Sequence, residues 1–512
     1  MFRGLVSAIL LQSALLPAGA FCGGSQLPDS PRLSTGVIST LPPSNSVSHF
    51  AGTGDNVLWI GSSKGVARTP DGGRSWEQFG SLPQFARPGI FSIVVQGDTI
   101  WTSTGYSQRV DQDFVQTGTG YTFSTDNGAT WTQLPQTVDA PGDSIVQYGS
   151  NTVRFLPVIV DEQNVTYDIA LSTTHVWIAS WASGIRRSSD RGTTWERIVL
   201  PNDGLSAIAP TDSLGRYNID PRLNNNFLGF SVYAQDDTTI WAGTAGGINK
   251  STDGGASWVK FNSTNQASPI LANWVIAIEG QQRDSVTRVW CTNWITTTGE
   301  EYGVSYTDDG GRIWHNTLHG IKAYDFAFSG TTVYIATDDG IYRSVDDGAT
   351  WQRSGTIVDR TSGQVITTMS VFAVATIGDT LFGGTGDGMV MTIDDGSRPF
   401  GSSWNILRTY VPATGAASTY AFPNPFSPAS EISRIHYTTG SAGGQVTIEV
   451  FDFGMNRVRT VVKDAGRTGG IDHDEIWDGR NDQQETVTNG VYFYRLTIND
   501  GDPVWGKVMV LQ

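Results

Sequence analysis

The residues of this chain most able to do chemistry are carboxylates in glycine-rich, loop-forming sequence. Hydrolysis of a glycosidic bond takes two carboxyl groups flanking a cleft, about 5–10 Å apart. Asp111, Asp113, Glu300, Glu301, Asp338 and Asp339 are the candidates. No two of them are marked as a pair by spacing, and acidic loop residues are more often simply solvated. Tyr106, Trp181, Tyr217 and Trp294 fall near the same loops and are of the type that stacks on sugar rings, although such rings also pack beneath long loops. Arg109 adds a cation to the set. No Ser/His/Asp arrangement can be assembled from the six histidines. The two cysteines make no metal site, and no phosphate-binding loop or metal-ligand cluster stands out, so neither cofactor nor metal is expected.

What must position these side chains is an internal repeat, which decides an architecture before any single residue does. Seven times the chain returns to Ser/Thr-x-Asp-x-Gly-x-x-Trp. The copies pair Asp71 with Trp76, Asp126 with Trp131, Asp190 with Trp195, Asp253 with Trp258, Asp309 with Trp314 and Asp346 with Trp351. A last copy, with an insertion, pairs Asp394 with Trp404. Asp followed by Gly suits a tight hairpin turn, because Gly tolerates positive φ and the Asp side chain bonds amides just ahead of it. The Trp then anchors the turn in a core.

A second aromatic keeps step with the first. Trp59, Trp101, Trp177, Trp241, Trp290, Tyr334 and Phe382 precede their Asp by 12, 25, 13, 12, 19, 12 and 12 residues. Short apolar runs flanked by Gly read as strands. Strand units repeated around an axis form a β-propeller, here with seven blades. Residues near 30 to 50 are expected to supply a strand that closes the ring with the last blade. The two wide spacings mark insertions around 106–120 and 295–302, and the blade connections before Trp177 and Trp241 are the longest. Long loops on a rigid scaffold are where binding usually resides. The face opposite the Asp turns, built up over blades 2 to 5, is therefore the expected binding face.

The repeat resembles the Asp-box (BNR) repeat of sialidases, of xyloglucan-degrading propeller hydrolases and of sortilin-type receptors. That resemblance implies that the seven Asp and Trp residues are structural and lie away from any active site. Sialidases also use three arginines and a Phe/Tyr-Arg-Ile-Pro element ahead of the first box. Here Phe85-Ala86-Arg87-Pro88 follows the first box, and nothing marks three of Arg87, Arg154, Arg216, Arg222 and Arg288 as a triad. The xyloglucanases resemble this chain more in blade number, but work between two tandem propellers where this chain has one.

Beyond 411–419, a stretch of small residues that reads as a linker, the pattern changes. Pro423-Asn424-Pro425-Phe426, Trp477-Asp478-Gly479-Arg480 and Gly490-Val491-Tyr492-Phe493-Tyr494-Arg495-Leu496 follow in order among period-2 strands, which argue a small sandwich. Residues 420–512 resemble the FlgD-type Ig-like domain and the C-terminal sorting domains of type IX secretion, which implies passage across an outer membrane. At the other end, 1–20 has the basic start, apolar core and Ala18-Gly19-Ala20 of a cleaved signal peptide. The apolar run is too short to span a bilayer, and no transmembrane segment is expected after cleavage. Cys22 would suit a lipid anchor only with a different residue than Phe21 before it. Cys291 is expected as a buried thiol, with a Cys22–Cys291 disulfide the alternative. The balance of 33 basic to 49 acidic residues, net −16, argues against nucleic acid as partner.

The reading that results is an all-β protein: a seven-bladed propeller over 21–410 followed by an Ig-like sandwich. It is secreted or held on the outer cell surface, exported with help from outer-membrane machinery, and binds an extracellular glycan or protein without catalysis. An extracellular glycoside hydrolase, xyloglucanase-like or sialidase-like, is the alternative.

Overall fold

The computed structural model describes residues 37–511 apart from 53–55, 86–88, 111–112, 285, 367, 410–418, 430–431, 441, 470–471 and 500. The expected signal peptide, Cys22 and nearly all of the linker lie outside the described residues. Among the described residues no helix is long and apolar enough to cross a membrane.

The strand reading holds: seven antiparallel sheets, each a meander of four consecutive strands, follow one another from Val47 to Leu407. The first strands, Val47–Gly52, Ile90–Gln96, Thr166–Leu171, Gly229–Ala234, Ile278–Arg283, Ala323–Ser329 and Val371–Ile377, are the innermost. Neighbouring blades touch along these strands, save that blade 5 meets blade 6 through its second strand, Val286–Asn293, and Val371–Ile377 packs back onto Val47–Gly52, so the ring is closed. The protein is a β-propeller.

Closure is not made as expected. All four strands of the last blade come from 371–407, and Val47–Gly52 is the inner strand of the first blade. Val37–Ser39 pairs with Trp76–Gln78 on the outer edge of that same blade. Side-chain packing closes the ring, helped by Gly388 N–H donating to Asn45 O at 2.7 Å and Thr409 N–H to Asn45 Oδ1 at 2.7 Å.

The two aromatic landmarks meet across every blade joint. The second-strand ring of one blade shares a hydrophobic cluster with the Asp-turn Trp of the next: Trp59 with Trp131, Trp101 with Trp195, Trp177 with Trp258, Trp241 with Trp314, Trp290 with Trp351 and Tyr334 with Trp404. Phe382 with Trp76 closes the circle. Three of these pairs are edge-to-face, at 6.0, 6.2 and 6.5 Å. The glycine of the turn serves the joint as well as the bend. A Cβ at Gly128, Gly255 or Gly348 would lie 2.8, 2.7 or 2.9 Å from the neighbouring blade's Trp59, Trp177 or Trp290.

The Asp residues hold their turns as anticipated. Asp71 accepts from Ser75 N–H at 2.9 Å and Ser75 O–H at 2.6 Å, while Gly73 N–H donates to Thr69 Oγ1 at 2.8 Å. Asp126, Asp190, Asp253 and Asp346 repeat this with Thr130, Thr194, Ser257 and Thr350. Asp309 keeps the amide bonds and the Thr307 O–H at 2.9 Å but lacks the second hydroxyl bond, because Ile313 replaces the hydroxyl residue. Asp394 is different: the insertion after it removes its local partners. It accepts instead from Tyr334 O–H at 2.6 Å and lies 2.9 Å from Arg343 Nε, tying the last blade to the sixth.

The tail forms two sheets over one core. One contains Thr419–Phe422, Ser433–Thr438 and Asp472–Trp477; the other contains Gly444–Phe451, Arg457–Arg467, Gly490–Ile498 and Val504–Val510. The quoted motifs supply its centre, with Phe426 against Trp477 at 5.7 Å and Trp477 against Tyr492 at 5.2 Å. This sandwich is docked on blade 1. Buried Arg434 donates to Gly80 O at 3.1 Å and Phe85 O at 2.5 Å, and Ile432 N–H donates to Ser81 O at 3.1 Å. Buried Lys64 donates to Tyr420 Oη at 3.0 Å and lies 3.9 Å from Asp474, which also meets His436 Nδ1 at 3.0 Å.

Two outcomes are expected. Among the described residues the indole N–H of Trp76 finds no acceptor, and its ring is held by packing. Trp76→Phe, which fills only part of the indole's space, is expected to destabilise in chemical denaturation by less than Trp76→Ala, which should cost about 3–5 kcal/mol. Arg434→Met leaves two interface carbonyls without a donor. Calorimetry is expected to show the sandwich melting apart from the propeller in that variant, and together with it in the parent.

Candidate binding face

Each inner strand begins on the face that carries the hairpins between second and third strands and the connections between blades. The Asp turns occupy the other face, bonded to the first-to-second-strand turns: Asn127 N–H donates to Asp98 O at 2.9 Å and Gly254 N–H to Thr238 O at 2.9 Å. The predicted division of the two faces is therefore the geometry observed.

Near that beginning, six of the seven inner strands carry a β-bulge, between 47 and 49, 90 and 92, 166 and 168, 229 and 231, 323 and 325, and 371 and 373. A bulge leaves one residue out of the ladder and re-aims it. The residues left out are Ser48, Phe91, Tyr167, Phe230, Tyr324 and Phe372. Five are aromatic, and they form a collar. Phe91 meets Tyr167 at 6.1 Å, Tyr167 meets Phe230 at 5.8 Å, and Tyr324 meets Phe372 at 5.9 Å. Between blades 4 and 6 the arc is filled by Trp181 and Trp274 beside Phe230, at 5.1 and 5.4 Å, and by Trp294 against Tyr324 at 5.6 Å. Only blade 1 breaks the collar, with Ser48, and blade 1 is where the sandwich docks on this same face.

One residue further along the inner strands are Asp168 and Asp325, and deeper still Glu279. Asp168 accepts from Ser92 O–H of blade 2 at 3.3 Å and from Val232 N–H of blade 4 at 2.9 Å. Asp325 accepts from Val374 N–H of blade 7 at 3.0 Å. Both are clips between inner strands. Glu279 is exposed on Ile278–Arg283, the inner strand of blade 5 beside the channel. Burial pushes Asp168 and Asp325 up to about 7; burial, then Asp325 and Asp168, pushes Glu279 up to about 8. Burial also lowers His49, on the blade 1 inner strand, to about 4. Among the described residues no group of His, Cys, Asp or Glu is placed to hold a metal ion.

The residues expected from sequence fare unevenly. Trp181 and Trp294 belong to the collar, and Trp294 is capped by buried Lys322, whose Nζ lies 3.9 Å from the ring centre. Asp338, beside Lys322, is raised by burial. Glu300 is not free for chemistry: it accepts from Thr296 N–H at 2.6 Å and Ser263 O–H at 3.0 Å, which pins its loop. Glu301 meets His319 at 2.9 Å in an exposed pair, and Asp339 meets Arg353 at 2.7 Å. Tyr106 is half-buried on the long blade 2 hairpin, whose strands Thr99–Val110 and Asp113–Ser124 replace the loop expected there. Asp111 and the side chains of Arg109 and Asp113, at its tip, lie outside the described residues. The two long connections do not build up the face throughout. They give a three-stranded sheet of Ile145–Tyr148, Asn151–Phe155 and Asn218–Ile219. This sheet packs with Trp177 and Trp258 at the joint of blades 3 and 4, and takes Tyr217 into that core.

A Gly-x-Ser-x-Gly run, Gly61 to Gly65, is a β-hairpin in which Ser63 Oγ is bonded to Ser44 Oγ at 2.7 Å; it is no nucleophile elbow. Cys291 is a buried free thiol with its pKa raised by burial. The collar and the channel carboxylates escaped the sequence reading, which followed the second strand. Asp168 and Asp325 each stand nine residues before the landmark rings Trp177 and Tyr334, and aligning the repeats upstream would have shown them.

No protein-family model matches the chain. It is 26% identical over 247 residues to a probable oligoxyloglucan-reducing end-specific xyloglucanase of Neosartorya fischeri, a match covering 45% of this chain and 26% of that protein. It is 25% identical over 248 residues to a xyloglucanase of a Paenibacillus species, covering 40% of this chain and 24% of the relative. The chain thus spans about a quarter of the length of these curated relatives. Among solved structures, an ancestral GH74 enzyme superposes with a TM-score of 0.49 at 14% identity, over 93% of this chain and 63% of that one.

The channel carboxylates set a pH dependence. Their folded pKa values lie above the unfolded ones, so between about pH 4 and pH 8 the folded protein binds protons that the unfolded chain has lost. Stability therefore falls as pH rises through that window. Glu279→Gln is expected to raise the melting temperature over the parent at about pH 8.5 and to leave it unchanged near pH 4. A calorimetric gain confined to acid would contradict the assignment.

Proposed function

We infer that this chain is an exported Asp-box propeller that binds a glycan on its collar face without cleaving it, its tail acting as a FlgD-type sorting or anchoring module. The observation that carries the reading is the collar itself. Buried Phe230, Trp274 and Trp294 back an arc in which Phe91, Tyr167, Trp181, Tyr324 and Phe372 stay partly open, and flat apolar faces with few polar groups between them are what sugar rings bind against. Hydrolysis has less support. Of the face carboxylates, Glu300 and Asp339 are committed to a turn and an ion pair, and Asp168 and Asp325 clip main-chain amides.

The likeness to xyloglucanases supports a glycan as ligand and keeps a second reading, an extracellular glycoside hydrolase working on the same face. The turn geometry supports the Asp-box resemblance. The signal-like start and the three tail motifs support export to the outer surface or the medium through outer-membrane machinery.

The test is a panel of neutral, acidic and amino polysaccharides, xyloglucan included, presented to the full-length protein while both binding and new reducing ends are measured. Binding without release, weakened at least tenfold by Trp181→Ala, is the expected result. Release of reducing ends would establish the hydrolase. Absence of binding across the panel would overturn the glycan reading.

A further inference from the structure

Two polar groups of the collar are left over from the fold. Trp294 gives its indole N–H to Ala323 O at 2.8 Å, and the indoles of Trp59, Trp177 and Trp241 are sealed in the blade joints. Trp181, on the second-to-third-strand hairpin of blade 3, is half-buried instead. Among the described residues its Nε1–H has no acceptor, and the hydroxyl of Tyr167, half-buried at the bulge of the same blade, has no partner either. Both rings meet Phe230, at 5.1 and 5.8 Å, and Trp274 completes the group at 5.4 Å from Phe230 and 6.2 Å from Trp181. Phe230, 5% exposed, forms the back of this cluster. The neighbouring carboxylate, Asp168, is committed to the amides of Ile169 and Val232 at 2.8 and 2.9 Å.

Indole N–H and phenol O–H groups that are largely out of water normally find a partner, so an unpaired set around one shared ring marks where a ligand completes it. Such a ligand must bring an acceptor for the indole, a polar group for the phenol and an apolar surface for the rings between them. An acetamido group brings all three. Its carbonyl accepts from the indole N–H, its N–H donates to the hydroxyl oxygen, and its methyl packs on the rings. Resting on the glycan reading above, we propose that the collar takes an N-acetylated amino sugar at Trp181, Tyr167 and Phe230. A plain glucan offers hydroxyls to the same two groups and no methyl to the rings. A free amino sugar puts an ammonium, a donor, where the indole N–H needs an acceptor.

Oligomers of N-acetylglucosamine, glucosamine and glucose, matched in length, are titrated calorimetrically into the full-length protein. The acetylated oligomer is expected to bind at least about tenfold tighter than either of the others. Trp181→Phe, which keeps an aromatic ring and removes the N–H, should cut the ratio of affinities for the acetylated and glucose oligomers about fivefold. Tyr167→Phe should act in the same direction, and melting curves confirm that both variants fold. Equal or weaker binding of the acetylated oligomer would overturn this proposal and leave the glycan reading intact. A preference undiminished in both variants would overturn the role given to the two polar groups. Binding of none of the three would overturn the proposal as well, and the polysaccharide panel then decides the glycan reading separately.

Discussion

The structure depends on one contact made seven times: the aromatic ring of a blade's second strand set against the Asp-turn tryptophan of the next blade. A four-stranded sheet buries one face poorly by itself, and each blade gains its core only from its neighbours. The Asp holds the turn, the turn delivers the tryptophan, and the glycine leaves room for the neighbouring ring. The seventh joint, Phe382 with Trp76, is chemically the same as the other six. This is why the ring closes without a strand shared between first and last blades. Many of these indole N–H groups have no acceptor, so shape complementarity rather than hydrogen bonding specifies the joint.

Closing the ring gathers seven strand beginnings around one axis, and the collar and channel follow from that. Residues that would be unremarkable on an open sheet become neighbours there. Asp168 and Asp325 use the crowding structurally, each accepting a main-chain amide from another blade's inner strand. Glu279 receives the crowding without such a bond, which leaves a carboxylate among carboxylates beneath a ring of aromatic faces. The capacity of this face to bind thus arises from the same closure that stabilises the fold.

The sandwich is a fixed part of the molecule. Lys64, Arg434 and Asp474 are buried where it meets blade 1, and Arg434 satisfies carbonyls of the blade connection rather than partners in its own module. Buried charges of this kind are costly when either side is removed. Blade 1 is also the blade without an aromatic residue at its bulge, so the collar opens on the side where the sandwich stands.

The turns, the strands and the buried rings were legible in the sequence because their causes are local. Asp71 bonds Ser75 four residues on, and every turn but that of Asp394 repeats that reach, so a pattern eight residues long carries the geometry. The landmark rings declared the blade number for the same reason. Tertiary structure alone decided what the rings touch, where the long connections go and which carboxylates meet. Trp59 and Trp131 belong to different repeats, and Arg434 reaches Phe85 across 349 residues. Glu300 looked available as a loop carboxylate and is spent on its own turn, whereas Glu279 looked like an ordinary strand residue and stands beside the channel. No spacing along the chain distinguishes the two, because what separates them is closure of the ring, which brings distant strands to one axis.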